Sequence, residues 1–380
     1  MKHASTSVRV MNPRIIDLFA GPGGLDVAAH WLGVPVTGIE WDPNACATRR
    51  AAGLDTREGD VREFGPHLFP DANVLAGGPP CQTYTVAGTG AGRMALERVL
   101  RLVKSMSAGE DVQDHIASFD DERTGLVLEP LRWALGAYRD GRPYEAVVLE
   151  QVPAVLPVWE AMGEALEGLG YTVAVGVLRT EEFGVPQTRR RAILLARYGS
   201  DVRLPAATHR SYRKGAVRDQ DCSDLLPWNT MGDALSSTRG YEFSVVSNYG
   251  TGGDPKARGR RSSDEPAFTV TGKVSRNRLI GGDGAEINRF TMAEAGRLQT
   301  FPMNFPWSGS DISQQIGNAI PPRLGVHILA AALGMSDVIN ESFLREVMDG
   351  NWFESLVHRD AGDGKEALHY GSRGPVGLTP

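Results

Sequence analysis

The sequence is poor in cysteine. Its 380 residues include 3, Cys46, Cys81 and Cys222. They are widely spaced and odd in number, so neither a disulfide framework nor a CxxC zinc site can be assembled, and a reducing, cytoplasmic setting is expected without a structural metal. Long apolar runs are missing too. None reaches the roughly 20 residues needed to cross a bilayer, and Met1–Val10 has no signal-like apolar core, so no membrane partner is expected. Nor is positive charge in excess: Lys+Arg number 40 against 46 Asp+Glu, a formal net charge of -6. That excludes nucleic-acid binding by bulk charge alone and leaves room for a local basic cleft. Long internal repeats and low-complexity blocks are absent. Hydrophobic residues at 41% and charged residues at 23% are ordinary for a globular protein. The length suffices for one large α/β domain and a smaller one.

What is present centres on Gly77-Gly78-Pro79-Pro80-Cys81-Gln82, after the apolar run Ala72–Ala76. Two glycines and two prolines stop a strand and impose a stiff turn. Such a turn fixes a thiol at the carboxyl end of a sheet, where open α/β folds place their chemistry; a core cysteine has no need of it. Upstream, a strand over Arg14–Phe19 runs into Ala20-Gly21-Pro22-Gly23-Gly24-Leu25 and a helical pattern to Leu32, the start of a doubly wound nucleotide-binding unit. The loop lacks the Lys-Ser/Thr pair of a triphosphate site. A second strand, Val34–Glu40, ends in a carboxylate placed for a ribose. Trp41 follows as a stacking face or a core aromatic, and Asp60 ends a third short strand.

The stretch Thr83–Arg123 reads as irregular, with a glycine-rich segment, Val86–Arg93, that is either a lid or a plain surface loop. A helix is expected over Leu128–Tyr138. Another buried strand, Tyr144–Leu149, leads to Glu150-Gln151-Val152-Pro153; a helix over Trp159–Leu169 and a strand over Tyr171–Leu178 precede Gln187-Thr188-Arg189-Arg190-Arg191. Strand alternation puts Arg189 and Arg191 on one face and Arg190 on the other. From Asp201 to about Ile287 periodicity fades, and basic clusters (His209–Lys214, Lys256–Arg261, Lys273–Arg278) alternate with aromatic and small polar residues, the texture of loops on a small scaffold that reads nucleic acid or of a polar insertion. Helical order returns with a capping box at Thr291 and Glu294, and Gln315–Pro322 opens a last apolar helix, Leu324–Leu333.

In order along the chain, Asp17–Gly24, Gly78–Gln82, Glu150–Val152, Gln187–Arg191, Arg297–Pro302 and Gln315–Pro322 resemble the motifs of the cytosine carbon-5 DNA methyltransferases, over roughly residues 14–333. Two departures stand out: Gln151 replaces the usual Asn, and Tyr84-Thr85 the usual Phe-Ser.

The resemblance implies an S-adenosylmethionine-dependent, bacterial or phage-type DNA (cytosine-5-)-methyltransferase. Its fold is α/β, a doubly wound Rossmann-like catalytic domain with a smaller, irregular target recognition domain. The expected division is 14–200 catalytic, 201–287 target recognition, 288–335 a return to the catalytic domain, and 336–380 a helix and polar tail. Implied catalytic residues are Cys81 as nucleophile, Glu150 as proton donor at the base, Arg189 as a positive neighbour of the thiol, and Arg191 at O2 of the base. Implied cofactor contacts are Asp17, Phe19, Gly21, Gly23, Gly24, Leu25, Glu40, Trp41, Asp60 and Asn318. The expected partner is double-stranded DNA, with a cognate restriction endonuclease, and the chain is expected to act as a monomer. An RNA cytosine methyltransferase of the same fold and a silent DNA-binding relative are the alternatives.

Overall fold

The apolar runs identified in the sequence become strands buried on both faces. The computed structural model describes residues 8–80, 90–119, 121, 123–218, 224–248 and 259–360. Its main sheet contains β1 (Ile15–Leu18), β2 (Val36–Glu40), β3 (Thr56–Glu58), β4 (Val74–Gly77), β5 (Ala146–Gln151), β6 (Tyr171–Arg179) and β7 (Arg190–Tyr198). The order is β3-β2-β1-β4-β5-β7-β6. Strands β1 to β5 run parallel to one another, and β7 is antiparallel to both of its neighbours, β5 and β6. The order turns at β1 and β4, the crevice where open parallel sheets bind ligands.

Side-chain alternation divides the core into two layers. Ile15, Ala76, Val148 and Ile193 face the helices Gly24–Trp31 and Pro322–Leu333. Ile16, Leu18, Leu75, Val147 and Leu194 face the opposite way, toward Val99, Val103, Trp133 and Trp159. These last residues come from the helices Gly90–Ser107, Glu129–Arg139 and Leu156–Glu167. The first of them corrects the sequence reading, which took Thr83–Arg123 as irregular. Val99, Leu102, Val103 and Met106 are buried at helical spacing, but a glycine-rich start hid the pattern. The segment 81–89, with the nucleophile candidate Cys81 and the first half of the lid candidate Val86–Arg93, lies outside the described residues, as does the tail beyond residue 360.

The variable region holds a second sheet. Strands β8 (Phe243–Val246), β9 (Arg260–Ser262), β10 (Arg278–Gly281) and β11 (Glu286–Ile287) pair antiparallel in the order β11-β10-β8-β9. Phe243, Val245 and Leu279 bury one face with Met231, Leu235 and Phe290. Strands of two to four residues are too short to register as period-two patterns. After the last catalytic helix, Glu341–Asp349 and Trp352–Asp360 are helical. Trp352 is buried and donates to the Ala52 carbonyl at 3.0 Å, docking this end on the main domain. No described helix is long and apolar enough to cross a membrane.

Candidate active site

Register brings the motifs to one edge. Leu18, Ile39 and Gly77 lie side by side, and Leu149 pairs with Gly77. The residues that follow, Phe19, Glu40, Gly78 and Glu150, therefore leave four neighbouring strands at the same level. Because β7 is reversed, its beginning reaches that edge, and Glu150 and Gln151 pair with Ile193 and Ala192. Arg189 and Arg191 are buried while Arg190 is exposed, the alternation expected of this strand.

Glu150 is 7% exposed, and its carboxyl forms an ion pair with the Arg191 guanidinium. Burial pushes the Glu150 carboxyl above the ordinary glutamate range, and Arg191 opposes that shift. The carboxyl lies beside the elbow: a Cβ placed on Gly78 would be 3.6 Å from Glu150 Oε2. Neighbouring Gln151 donates from Nε2 to the Pro79 carbonyl at 2.5 Å and accepts from the Val152 N–H at 2.6 Å. Arg189 donates to the carbonyls of Val270 and Gly317 at 2.7 and 2.8 Å. It thereby joins this sheet edge to the small sheet's connection and to the helix Ile312–Asn318, and its buried Nε has no partner among the described residues.

The other side of the crevice is shaped by backbone. Gly21 has φ 57°, and a Cβ there would meet nothing within 4 Å, so the loop turns open space toward the edge. Phe19 also has positive φ, 62°, a conformation that costs a bulky residue on the order of 1–3 kcal/mol and persists where the surroundings over-determine it. Gly23 and Gly24 serve close packing: Cβ atoms there would lie 2.3 Å from Leu54 Cδ1 and from the Ile320 carbonyl. The second of these contacts brings the turn after Asn318 against the loop. Asn318 itself is exposed and accepts from Gln314 Nε2 at 2.7 Å. Leu25 turns its side chain into the core, leaving its backbone for a ligand.

The Glu40 carboxylate accepts the N–H groups of Gly21, Trp41 and Asp42 at 2.7, 2.9 and 2.8 Å. Burial raises its pKa, and those bonds restrain the rise. Three acceptances leave about one of a carboxylate's four lone-pair positions for a hydroxyl. Trp41 is 56% exposed, which favours the stacking reading over the core one. Asp60 caps the turn Val61–Glu63 and holds the Arg62 side chain; hydrogen bonding from Arg62 lowers its pKa. Asp17 is 2% exposed, its Oδ1 has no partner among the described residues, and burial raises its pKa well above the ordinary range.

Several supports escaped the sequence reading. Arg49 clamps Asp26 with two bonds of 2.9 and 2.6 Å, both side chains fully buried, and also donates to the Asp55 carbonyl at 3.0 Å. Gln187 donates to Leu298 O and Gln299 Oε1 at 2.8 and 2.7 Å, and Gln299 donates on to Ile316 O at 2.6 Å. Pairs 23 and 112 residues apart leave no local trace.

Comparisons with known proteins agree with this geometry. The family model described as C-5 cytosine-specific DNA methylase matches residues 13–102 and 119–333. The Type II methyltransferase M.AplI of Arthrospira platensis is 30% identical over 329 residues, covering 82% of this chain and 82% of that protein. M.NgoFVII of Neisseria gonorrhoeae is 27% identical over 361 residues, covering 84% and 86%. Among solved structures, the S. pombe Dnmt2 methyltransferase aligns with TM-score 0.55 at 16% identity over 84% of this chain and 98% of that one. A putative DNA modification methyltransferase from an E. coli prophage aligns with TM-score 0.52 at 17% identity, over 87% and 100%. A family match across most of the chain, on a fold whose motif residues converge at one sheet edge, makes this protein a member of the C-5 cytosine-specific DNA methylase family.

Proposed function

We propose that the chain transfers a methyl group from S-adenosylmethionine to carbon 5 of a cytosine flipped out of duplex DNA, with Cys81 as the attacking thiol. The observation that carries the reading is the Glu150–Arg191 pair, buried beside the Gly78–Pro80 elbow, two strands across the sheet edge from the open glycine loop. The residues fit the cofactor. Gly21 faces open space, Trp41 offers an exposed ring, and Glu40 keeps an acceptor position. Phe19 and the Gly21–Gly24 loop with Leu25 would hold the methionine part, with Asp17 beneath them and Asn318 near its end. Glu40 would take the ribose, and Trp41 and Asp60 the adenine. S-adenosylmethionine, when bound, supplies an electrophilic methyl group.

The chain's own residues supply the rest. The Cys81 thiolate adds its electron pair to carbon 6 of the ring, which breaks conjugation and raises electron density at carbon 5, the atom that receives the methyl. Burial raises the proton affinity of Glu150, and a proton shared between its carboxyl and N3 would relieve the charge that addition creates. Arg191 holds that carboxyl and reaches toward O2 of the base, while Arg189 supplies positive potential near the thiol. Departure of the carbon-5 proton releases the thiolate again. A base inside a duplex is out of reach of this edge, so the cytosine must be extruded. The basic clusters of the variable region provide the duplex-reading surface, and the Type II relatives support a cognate restriction endonuclease as cellular partner.

Bisulfite sequencing of DNA from cells expressing the chain tests this reading, with Cys81→Ser as control and a parallel assay on tRNA. Protected cytosines in one sequence context, absent with the control, are expected. Methylated tRNA with unmodified DNA would overturn the choice of substrate.

A further inference from the structure

We infer that the outer edge of β6 is a docking site for an extended segment of another protein, one whose side chains alternate between basic and apolar. Strand β6 ends the main sheet, and β7 pairs with it along its whole length on one side. That pairing decides which main-chain groups are left over. Just beyond the strand, the Thr180 N–H donates to the Arg189 carbonyl at 2.9 Å. At the other end, the Tyr198 N–H turns away from Tyr171 and donates to the Glu145 carbonyl at 3.1 Å. Bonded and non-bonded pairs alternate in an antiparallel ladder, so Thr172, Ala174, Gly176 and Leu178 bond to β7. Val173, Val175 and Val177 direct their N–H and C=O groups outward, and among the described residues no main-chain group pairs with them.

Edges that resist association carry Lys, Pro or a bulge. From Tyr171 to Leu178 this strand has neither a charged residue nor a proline, and its register with β7 is unbroken. The charge stands beside it instead. On the face where Val173 and Val175 point, the helix Leu156–Glu167 crosses close: a Cβ on Gly163 would lie 3.1 Å from Val173 Cγ1 and 3.6 Å from Val175 Cγ2. Glu160, Glu164 and Glu167 form one stripe on that helix, exposed and without an ion pair among the described residues. Glu160 and Glu167 lie one turn before and after Gly163. Exposed Tyr198, its ring 5.2 Å from Tyr171, offers a cation a π face on the same side. The opposite face is apolar, and a Cβ on Gly176 would lie 2.7 Å from Leu204 Cδ1. An added strand therefore turns one set of side chains to carboxylates and the alternate set to Leu204. A second copy of this chain does not fit. Antiparallel pairing of two β6 edges would bring both glutamate stripes to the same face of the joined sheet, like charge against like across the seam.

The test uses the full chain and a labelled synthetic peptide alternating lysine with valine, read by fluorescence anisotropy. Its glutamate–valine counterpart is one control. A lysine peptide with proline in place of the central valine is the other, and measures attraction by charge alone. The lysine peptide is expected to bind about 10-fold or more tighter than either control at low salt, with the gap to the glutamate peptide narrowing at about 0.5 M salt. Val177→Pro removes one outward N–H and leaves the β7 ladder whole, so it should weaken the lysine peptide about 10-fold with melting temperature and methyl transfer unchanged. Changing Glu160, Glu164 and Glu167 together to Gln touches exposed side chains alone and should erase the preference for lysine over glutamate. That variant decides the matter if Val177→Pro lowers the melting temperature. Absence of binding, equal affinity for the lysine peptide and its controls, or a preference that survives the glutamine changes would each overturn the inference. So would a wild-type chain that sediments as a dimer and a Val177→Pro variant that sediments as a monomer, which would make a second copy the occupant. The binding readout is independent of methyl transfer, so its failure leaves the proposed function standing.

Discussion

The two sides of the crevice are built from different materials. On the β1–β2 side the geometry is made by main chain: a left-handed Gly21, a strained Phe19, and a Glu40 carboxylate held by three N–H groups. On the β5–β7 side it is made by buried charged and amide side chains, Glu150 against Arg191, Arg189 against two carbonyls, and Gln151 against Pro79. A main-chain cradle suits a ligand that must be held in one pose, since it is rigid. A side-chain cluster suits bond making, because its proton affinity can be moved by burial. The contrast teaches that substitutions should separate binding from chemistry according to which side they fall on.

The largest effect should come from Glu150→Gln. It removes the titratable carboxyl and leaves the shape, so turnover with labelled cofactor and duplex DNA should drop about 100- to 10,000-fold while cofactor affinity holds. A collapse of both would mean that the two sides are one unit. Next is Gly38→Ala on the main-chain side. The added Cβ would lie 2.0 Å from Arg49 Nη2 and 2.7 Å from Ala20 Cβ, disturbing the buried Asp26–Arg49 clamp behind the glycine loop. A loss of about 3 kcal/mol or more in urea unfolding is expected from overpacking and a broken buried pair, together with weakened cofactor binding. An unchanged urea midpoint would show that the clamp yields without cost.

A third test places acid sensitivity on neither side. His327 and His209 are buried near Arg323 and Glu341; His209 Nε2 lies 3.9 Å from Glu341, and Arg323 forms an ion pair with the same carboxylate. Burial, reinforced by Arg323, lowers His327 to about 3 and His209 to about 4, from an ordinary 6.5. Below pH 6.5 the unfolded chain binds protons that the folded chain refuses, so stability is full above that pH and falls as pH drops toward 3. Moving from pH 7.5 to pH 5 should cost on the order of 2 kcal/mol through His327 alone. His327→Gln should flatten the urea-midpoint profile over that range, and an unaltered slope would remove the residue from the account. The smallest effect is that of Trp41→Ala. Losing an exposed stacking face should weaken cofactor binding about 5- to 10-fold, roughly 1 kcal/mol, with turnover at saturating cofactor preserved.

Legibility in the sequence followed the same division. The glycine loop, the Pro-Pro elbow and the arginine alternation could be read because each depends on residues adjacent in the chain. Strand ends carrying Glu40 and Glu150 were legible as apolar runs that stop at a carboxylate. The helix Gly90–Ser107 was missed because glycines at its start masked an apolar stripe at helical spacing. The Asp26–Arg49 clamp and the Gln187–Gln299 relay join residues that only folding brings together. Gln151 was visible as a departure from pattern, but its bond to Pro79, 72 residues away in the chain, was not.

The reversed direction of β7 has a consequence for grafting. Since the strand begins at the reactive edge, it ends at the far one, where Arg197 pairs with Ala146 at the start of β5. The segment that reads DNA in our proposal is thus tethered at the wrong end of the sheet and must climb back past Glu182, where Thr208 and His209 dock. Its seat at the reactive edge comes from bonds that Thr188 makes to Ala267, Arg189 to Val270 and Arg261 to Thr188. A transplanted recognition segment would keep its tether automatically and its alignment only if it brought those partners along.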